Sequence, residues 1–306
     1  MTGKDSELTE KKIVFIVLHY MAVEVTLECV RHIRKNMDTD SYQIVIVDNH
    51  SPDESYRILN EKYGCVPCIT LLHNEENLGF SRGNNVGIRY ALRHYRFDFM
   101  VVLNNDAFLL ETAFAYKLDR YFSRYHFAVA GPRVIDKLGR NSNPVSDHLP
   151  SEKVIRERIQ EAKTMLWMNR VHLFSLYTNY LEWKSKLIRV AKILRNREKF
   201  PPVVNQVRKN VVLHGSFWIF SGEYFRIYDG LNEKKSMFVE EQTLLYKLLQ
   251  KNLLSVYLPD ILVLHLEDAS TDAVYRKPKE KMLFVYEKTL EAWKEYRDMV
   301  SKEPAE

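Results

Sequence analysis

Gln43-Ile44-Val45-Ile46-Val47, followed at once by Asp48-Asn49-His50-Ser51-Pro52-Asp53, decides the fold class. Four consecutive branched aliphatic residues suit a strand covered on both faces, as in a parallel sheet sandwiched between helices. The polar burst sits where such a strand hands over to a loop and helix. Upstream, Ile13-Val14-Phe15-Ile16-Val17-Leu18 has the same character, and Val23 to Asn36 reads as a helix. Downstream, Ile69-Thr70-Leu71-Leu72 leads into Asn77-Leu78-Gly79-Phe80 and a helix from about Ser81 to His94. Phe99-Met100-Val101-Val102-Leu103 then ends in Asn104-Asn105-Asp106. This alternation from Lys12 to Leu110 predicts βαβ units, hence an α/β fold with a mostly parallel sheet flanked by helices. Three polar clusters follow the carboxyl ends of three strands, the edge where open α/β sheets bind ligands.

The rhythm changes after Gly131-Pro132. Ser151 to Phe200 contains no Gly or Pro, and Leu166, Leu173, Phe174, Tyr177, Leu181, Ile188 and Leu194 recur at helical spacing. Residues 151–210 carry fourteen Lys/Arg against five Asp/Glu in a chain of net charge +5, so the basic character is local to this helical insertion. The α/β pattern resumes with Val211-Val212-Leu213, the run Gly215 to Phe220, a helix over Glu240 to Lys251, strands at Leu253 to Leu258 and Ile261 to Leu264, and a closing helix from about Lys279 to Val300. The polar segment 1–11 reads as a flexible tail. No stretch approaches the roughly 20 apolar residues that span a bilayer. Cys29, Cys65 and Cys68 are too few for a disulfide framework, which fits a reducing, cytoplasmic setting. The Cys65/Cys68 pair lacks the second half of a zinc site. No nucleic-acid partner is expected.

Several residues carry chemistry by type and place. Asp48, at a strand end, can accept hydrogen bonds from a base N–H or ribose hydroxyls, though such an Asp is also an ordinary turn residue. In Asn77 to Gly87, glycines recur every four residues; Gly83 and Gly87 allow a helix to approach its neighbour closely, while Arg82, Asn84, Asn85 and the helix start can meet phosphate. Asn104-Asn105-Asp106 supplies the oxygen ligands that Mg²⁺ or Mn²⁺ prefers when it bridges phosphates, with Asp106 the sole carboxylate. Glu240 and Glu241 begin a helix, as dipole partners or with one as general base for a hydroxyl. His265 closes an apolar strand and can be a structural residue or a nitrogen ligand.

In order and spacing, Val47-Asp48-Asn49-x-Ser51-x-Asp53, Asn77-x-Gly79-Phe80-x-x-Gly83-Asn84-Asn85-x-Gly87 and Leu103-Asn104-x-Asp106 resemble family 2 glycosyltransferases, most closely the rhamnosyltransferase-like branch. The likeness continues through Gly215-Ser216-Phe217-Trp218, Gly230-Leu231-Asn232-Glu233, Phe238-Val239-Glu240-Glu241 and His265 with Ser270, covering roughly Lys12 to Asp272. The resemblance implies a GT-A fold spanning 12–272, with a nucleotide-sugar half (12–130), an acceptor half (131–272) holding the 151–210 insertion, and a C-terminal helical extension (273–306). It implies an inverting transferase that takes a sugar from a dTDP- or UDP-sugar donor to a glycan or lipid-linked glycan, with a divalent cation. Leu18 and Tyr20 would border the base, Asp48 the nucleoside, and Asn77, Gly79, Asn85, Asn104, Asn105 and Asp106 the rest of the donor. Asp106 and His265 would hold the metal, Glu241 would be the base, and Trp218 and Glu240 would face the acceptor. Two departures stand out: Asn104 replaces the first acid of a strict DxD, and Glu241 stands where the family usually has Asp. A nucleotidyltransferase would need a Gly-rich, Arg-containing loop after the first strand, where this chain has Leu18-His19-Tyr20-Met21. A catalytically weak glycan-binding or scaffold protein is the other alternative. The basic, Trp-bearing insertion further predicts contact with an anionic membrane surface on the cytoplasmic face.

Overall fold

The computed structural model describes residues 9–171, 173, 204–233, 238–266 and 278–302. Among them nine strands form one sheet: β1 (Thr9–His19), β2 (Tyr42–Asp48), β3 (Ile69–His73), β4 (Tyr95–Asn104), β5 (Ala107–Leu109), β6 (Val129–Ile135), β7 (Arg208–Lys209), β8 (Phe217–Ser221) and β9 (Ser255–His265). Eight helices surround it: α1 (Val23–Asn36), α2 (Ser55–Tyr63), α3 (Gly79–His94), α4 (Phe114–Tyr125), α5 (Glu152–Arg170), α6 (Gly222–Phe225), α7 (Glu240–Gln250) and α8 (Pro278–Lys302). The strand order is β3-β2-β1-β4-β8-β6-β9-β5, with β7 beside β9.

The first four strands are parallel, as the βαβ rhythm requires. Beyond β4 the sheet is mixed, because β8 runs antiparallel to both β4 and β6 while β6 and β9 are parallel. The parallel pairing is thus continuous in the amino-terminal half and persists beyond it only between β6 and β9. An apolar run specifies a buried strand but not its direction. The two carboxyl-terminal strands expected at Leu253 to Leu258 and Ile261 to Leu264 are one continuous β9, whose register against β6 shifts at Pro132/Arg133. Val211–Leu213 makes only an isolated bridge, between Val212 and Ser146. Thr9 to Lys11, read as tail, pair with Tyr95 to Phe97 as the start of β1. The expected helix in the insertion is present as α5; Phe174, Tyr177, Trp183 and the rest of that stretch to 203 lie outside the described residues.

Side chains alternate across β1 with the period of two that a strand imposes. Ile13, Phe15 and Val17 enter a core with Cys29, Val30 and Ile33 of α1, Leu59 of α2 and Phe114 of α4. Val14 and Ile16 enter the opposite core with Ile88 of α3, Trp218 and Phe220 of β8, and Leu244 and Leu248 of α7. Helix α1 follows from its sequence: Thr26, Cys29, Val30, Ile33 and Asn36 make one buried stripe, Glu24 lies in the first turn, and Arg34 and Lys35 lie in the last. A third cluster joins Ile155 and Ile159 of α5 to Ala292, Trp293 and Tyr296 of α8, with Val239 and Tyr246 between them.

Candidate active site

The carboxyl edge of the parallel half gathers the polar clusters. His19, Asp48 and His73 are register partners on β1, β2 and β3, so their side chains leave the same face side by side. Asp48 is fully buried. Its Oδ1 accepts from the Ser51 hydroxyl (2.5 Å) and backbone N–H (3.3 Å), and its Oδ2 lies 2.7 Å from His73 Nδ1. Ser51 Oγ in turn receives the Met21 N–H at 2.9 Å. That bond anchors the loop leaving β1, where Met21 and Ala22 both adopt left-handed backbone (φ 56° and 52°), a strained choice for residues with a Cβ. Leu18 and Tyr20 border this loop and are half-buried.

His19 is buried with Nδ1 2.7 Å from Thr26 Oγ1, and Thr26 Oγ1 also receives the Asn105 amide at 3.0 Å. His19 Nε2 lies 3.8 Å from Asp48 Oδ1, beyond hydrogen-bond distance, and is buried with no hydrogen-bond partner among the described residues. Burial lowers the His19 pKa against the opposing pull of Asp48. Asn105 therefore directs its side-chain amide into the fold, toward Thr26.

Asn85 also turns its side chain into the fold. It is buried in α3, its Nδ2 donates to the Leu231 carbonyl (2.9 Å), and its Oδ1 accepts the Leu231 N–H (2.7 Å). It pins the Gly230–Glu233 turn, with Nδ2 also 3.2 Å from Glu233 Oε1. Asn84 is likewise buried, donating to Phe80 O at 3.0 Å. Asn77 is exposed, but its Oδ1 accepts from Asn49 Nδ2 (3.0 Å) and the Gly79 N–H (2.9 Å), and Gly79 takes φ +74°. These two residues shape the loop that opens α3. Asn49, quoted in the Val47–Asp53 motif but given no role there, organises that loop by also accepting from Leu78 N and Asn74 Nδ2.

The second half of the sheet brings the remaining motifs together around the turn His214-Gly215-Ser216. Ser216 O accepts the Asn104 N–H at 3.0 Å, and Glu241 Oε1 accepts the Gly215 N–H at 2.9 Å. Ala107 pairs with His265 across β5 and β9, which sets His265 Nε2 3.2 Å from Asp106 Oδ1. His214 stacks its ring edge on His265 with centroids 5.4 Å apart, and burial pushes its pKa down to about 4. His214 was not anticipated; a polar residue closing the run Val211-Val212-Leu213 was its only signal. Glu240 and Glu241 open α7 together. Glu240 lines a small cleft with Ser81, Trp218, Tyr224, Leu231 and Lys247. Enclosure by these groups, and then the neighbouring Glu241 charge, raises its pKa to about 7. Burial also raises that of Glu241, opposed by the Gly215 N–H. Trp218 is 1% exposed with its indole N–H on Leu213 O, so it floors the cleft and offers no polar group to an acceptor.

Among the described residues no group of three or more His, Cys, Asp or Glu is arranged to hold a metal. Asp106 and His265 supply one oxygen and one nitrogen donor, and His265 Nδ1 is buried with no hydrogen-bond partner there. Two protein donors fit a divalent ion that takes its other ligands from phosphate and water.

The sequence profile of Glycosyl transferase family 2 matches residues 14–185, more than half of the chain. The chain belongs to that family. No curated protein sequence matches it. Among solved structures, the family 2 fold is shared with the mannosyltransferase PcManGT from Pyrobaculum calidifontis in complex with GDP-Man and Mn2+, at TM-score 0.52 and 12% identity over 98% of this chain and 79% of that one. It is also shared with S. aureus TarS 1-349 in complex with UDP, at TM-score 0.52 and 14% identity over 83% of this chain and 60% of that one. TarS 1-349 in complex with UDP-GlcNAc matches a shorter part, 42% of this chain and 36% of that one, at 21% identity and TM-score 0.37. The architecture is thus GT-A. No helix among the described residues is long and apolar enough to cross a membrane.

Proposed function

We propose that this family 2 chain transfers a sugar, with inversion, from a nucleotide diphosphate donor carrying uracil or thymine to a hydroxyl of a glycan or lipid-linked glycan. We place it in the rhamnosyltransferase-like branch, with residues 12–272 acting as one catalytic domain. The observation that carries the reading is the turn at 214–216, to which both Glu241 and the Asn104–Asp106 segment are hydrogen-bonded. It puts an acid and a candidate phosphate-facing carboxylate on one support.

Glu241 takes the acceptor proton as the hydroxyl attacks the anomeric carbon from the face opposite the diphosphate. The Gly215 N–H orients its carboxylate, and its raised pKa makes it a better base than a solvated carboxylate. Asp106 and His265 would hold a divalent cation, which when bound offsets the negative charge of the leaving diphosphate. The left-handed backbone at Met21 and Ala22, fixed through Ser51, shapes the wall beside Tyr20.

Incubation with a panel of nucleotide-sugars and Mn²⁺ should release nucleoside diphosphate, and Asp106→Ala should abolish both the release and its dependence on cation. Undiminished transfer in excess EDTA would remove the metal from this account. A non-catalytic glycan-binding role is favoured by one observation, that Asn104 stands where a strict DxD has its first acid. Failure of every donor in the panel, together with glycan binding in the same preparation, would favour it.

The acceptor side carries the membrane reading. Residues 151–210 hold the basic excess, and Trp167 on α5 is 56% exposed. Each basic residue near an anionic surface contributes about 1 kcal/mol. Co-sedimentation with anionic vesicles should weaken with salt and with Lys184, Lys186, Arg189 and Lys192 changed to Gln. Equal sedimentation of variant and wild type would sink this location.

A further inference from the structure

We propose that His73, oriented by the buried Asp48, is the group that reads the donor's base, and that it selects bases presenting a ring N–H. This rests on the nucleotide-sugar reading above. Asp48 was the obvious candidate from sequence, but its carboxylate is sealed: it has no exposed surface, and both oxygens are engaged by Ser51 and His73. A ligand reaches it only by displacing one of these. His73 stands next to Asp48 in the β2–β3 register, and its side chain is 39% exposed at the ligand-binding edge.

The geometry fixes what His73 offers. Asp48 Oδ2, 2.7 Å from Nδ1, accepts the ring N–H on that side. In the neutral imidazole the lone pair then lies on Nε2, which points away from Asp48 and has no partner among the described residues. Tyr56 packs at 4.6 Å between ring centroids and His50 at 5.9 Å, so the ring cannot swing freely. His50 itself holds left-handed backbone (φ 64°). The result is a fixed acceptor beside an aromatic wall.

Such an acceptor complements the N3–H of uracil and thymine and the N1–H of guanine. Cytosine and adenine carry a lone pair at the corresponding ring nitrogen, so two acceptors would face each other. A site that uses a fixed polar group in this way discriminates by leaving that group unpaired with the wrong ligand. Behind this row, His19, Thr26 and Asn105 form a separate hydrogen-bonded chain that ends beside Asp106, with His19 Nε2 3.8 Å from Asp48 Oδ1.

The test is calorimetric binding of UDP, dTDP, GDP, CDP and ADP with Mn²⁺ at pH 8, using wild type, His73→Phe and His73→Gln. Wild type should prefer a ring N–H nucleotide over CDP and ADP. His73→Phe, which keeps the packing on Tyr56, should weaken that nucleotide by about tenfold and leave CDP and ADP within about twofold, as expected for one lost hydrogen bond. His73→Gln, whose amide oxygen accepts, should recover part of the loss. Thermal denaturation of each variant reports whether the fold persists. A wild-type preference for CDP or ADP, or a preference unchanged in His73→Phe, overturns the assignment while leaving the transferase reading intact. No binding of any nucleotide by wild type overturns the transferase reading and this one with it.

Discussion

Glu240 and Glu241 are neighbours at the start of α7, yet the fold gives them different surroundings. Glu241 is tied to Gly215 N, whereas Glu240 faces the cleft over Trp218 and Leu231. Glu241→Gln should lower turnover by about 10² to 10⁴ with donor affinity nearly unchanged, because a base acts on the transition state. If Glu240→Gln proves the damaging change in steady-state kinetics, the roles are exchanged. Glu240 makes a separate prediction about pH. Its carboxyl is raised from 4.5 to about 7, so it holds its proton more tightly folded than unfolded. Its contribution to stability is complete below about 4.5 and is lost as pH rises through 7. Glu240→Gln should therefore raise the melting temperature relative to wild type more at pH 8 than at pH 5; an equal difference at both would refute it. The acid pair itself was legible in the sequence. The contact that sets Glu241 apart from Glu240 was not, because Gly215 lies in another element. Asn85 illustrates the opposite case: its motif reads as phosphate-facing, but its amide matches the buried Leu231 backbone more than a hundred residues away in sequence. Asn85→Ala should cost roughly 2 kcal/mol or more in denaturant unfolding, by stranding a buried N–H and C=O.

Helix α3 approaches the sheet as the spacing of Gly83 and Gly87 anticipates. A Cβ on Gly87 would lie 2.6 Å from Ile16 Cγ2 and 2.8 Å from Val47 Cγ2, and one on Gly83 would lie 2.8 Å from Leu18 Cδ1. Ile16 and Val47 are β-branched residues fixed in central strands, so neither can yield easily. Gly87→Ala should destabilise by about 1 to 2 kcal/mol, overpacking outweighing the gain in helix propensity. Gly222 at the start of α6 has nothing within 4 Å of its hypothetical Cβ, and Gly222→Ala should be neutral or stabilising in the same melts. Legibility varied among elements for a physical reason. Strands covered on both faces, and helices with a single apolar stripe such as α1, announce themselves. Strand β5 has three residues, and β8 reverses direction through contacts with β4 and β6 that no local pattern encodes.

At the scale of the molecule, α8 closes against α5 through Trp293, Tyr296, Ile155 and Ile159, and Val239 of the segment leading into α7 is part of the same cluster. Trp293→Ala should lower stability by about 3 kcal/mol and, by loosening Val239, depress turnover as well. Unchanged kinetics in a folded variant would show that the clamp and the acids are independent. The sheet order also shapes how the chain is made. Strand β4 lies between β1, already synthesised, and β8, which follows after on the order of a hundred more residues. At roughly 5 to 20 residues per second, a nascent chain presents Met100-Val101-Val102-Leu103 with one row of backbone groups unpaired for on the order of ten seconds. An apolar strand with an open edge is a template for any other extended segment nearby. Cells making this protein at high flux should accumulate ribosome-associated aggregates seeded at β4, and slowing translation ahead of Phe217 would lengthen the hazard.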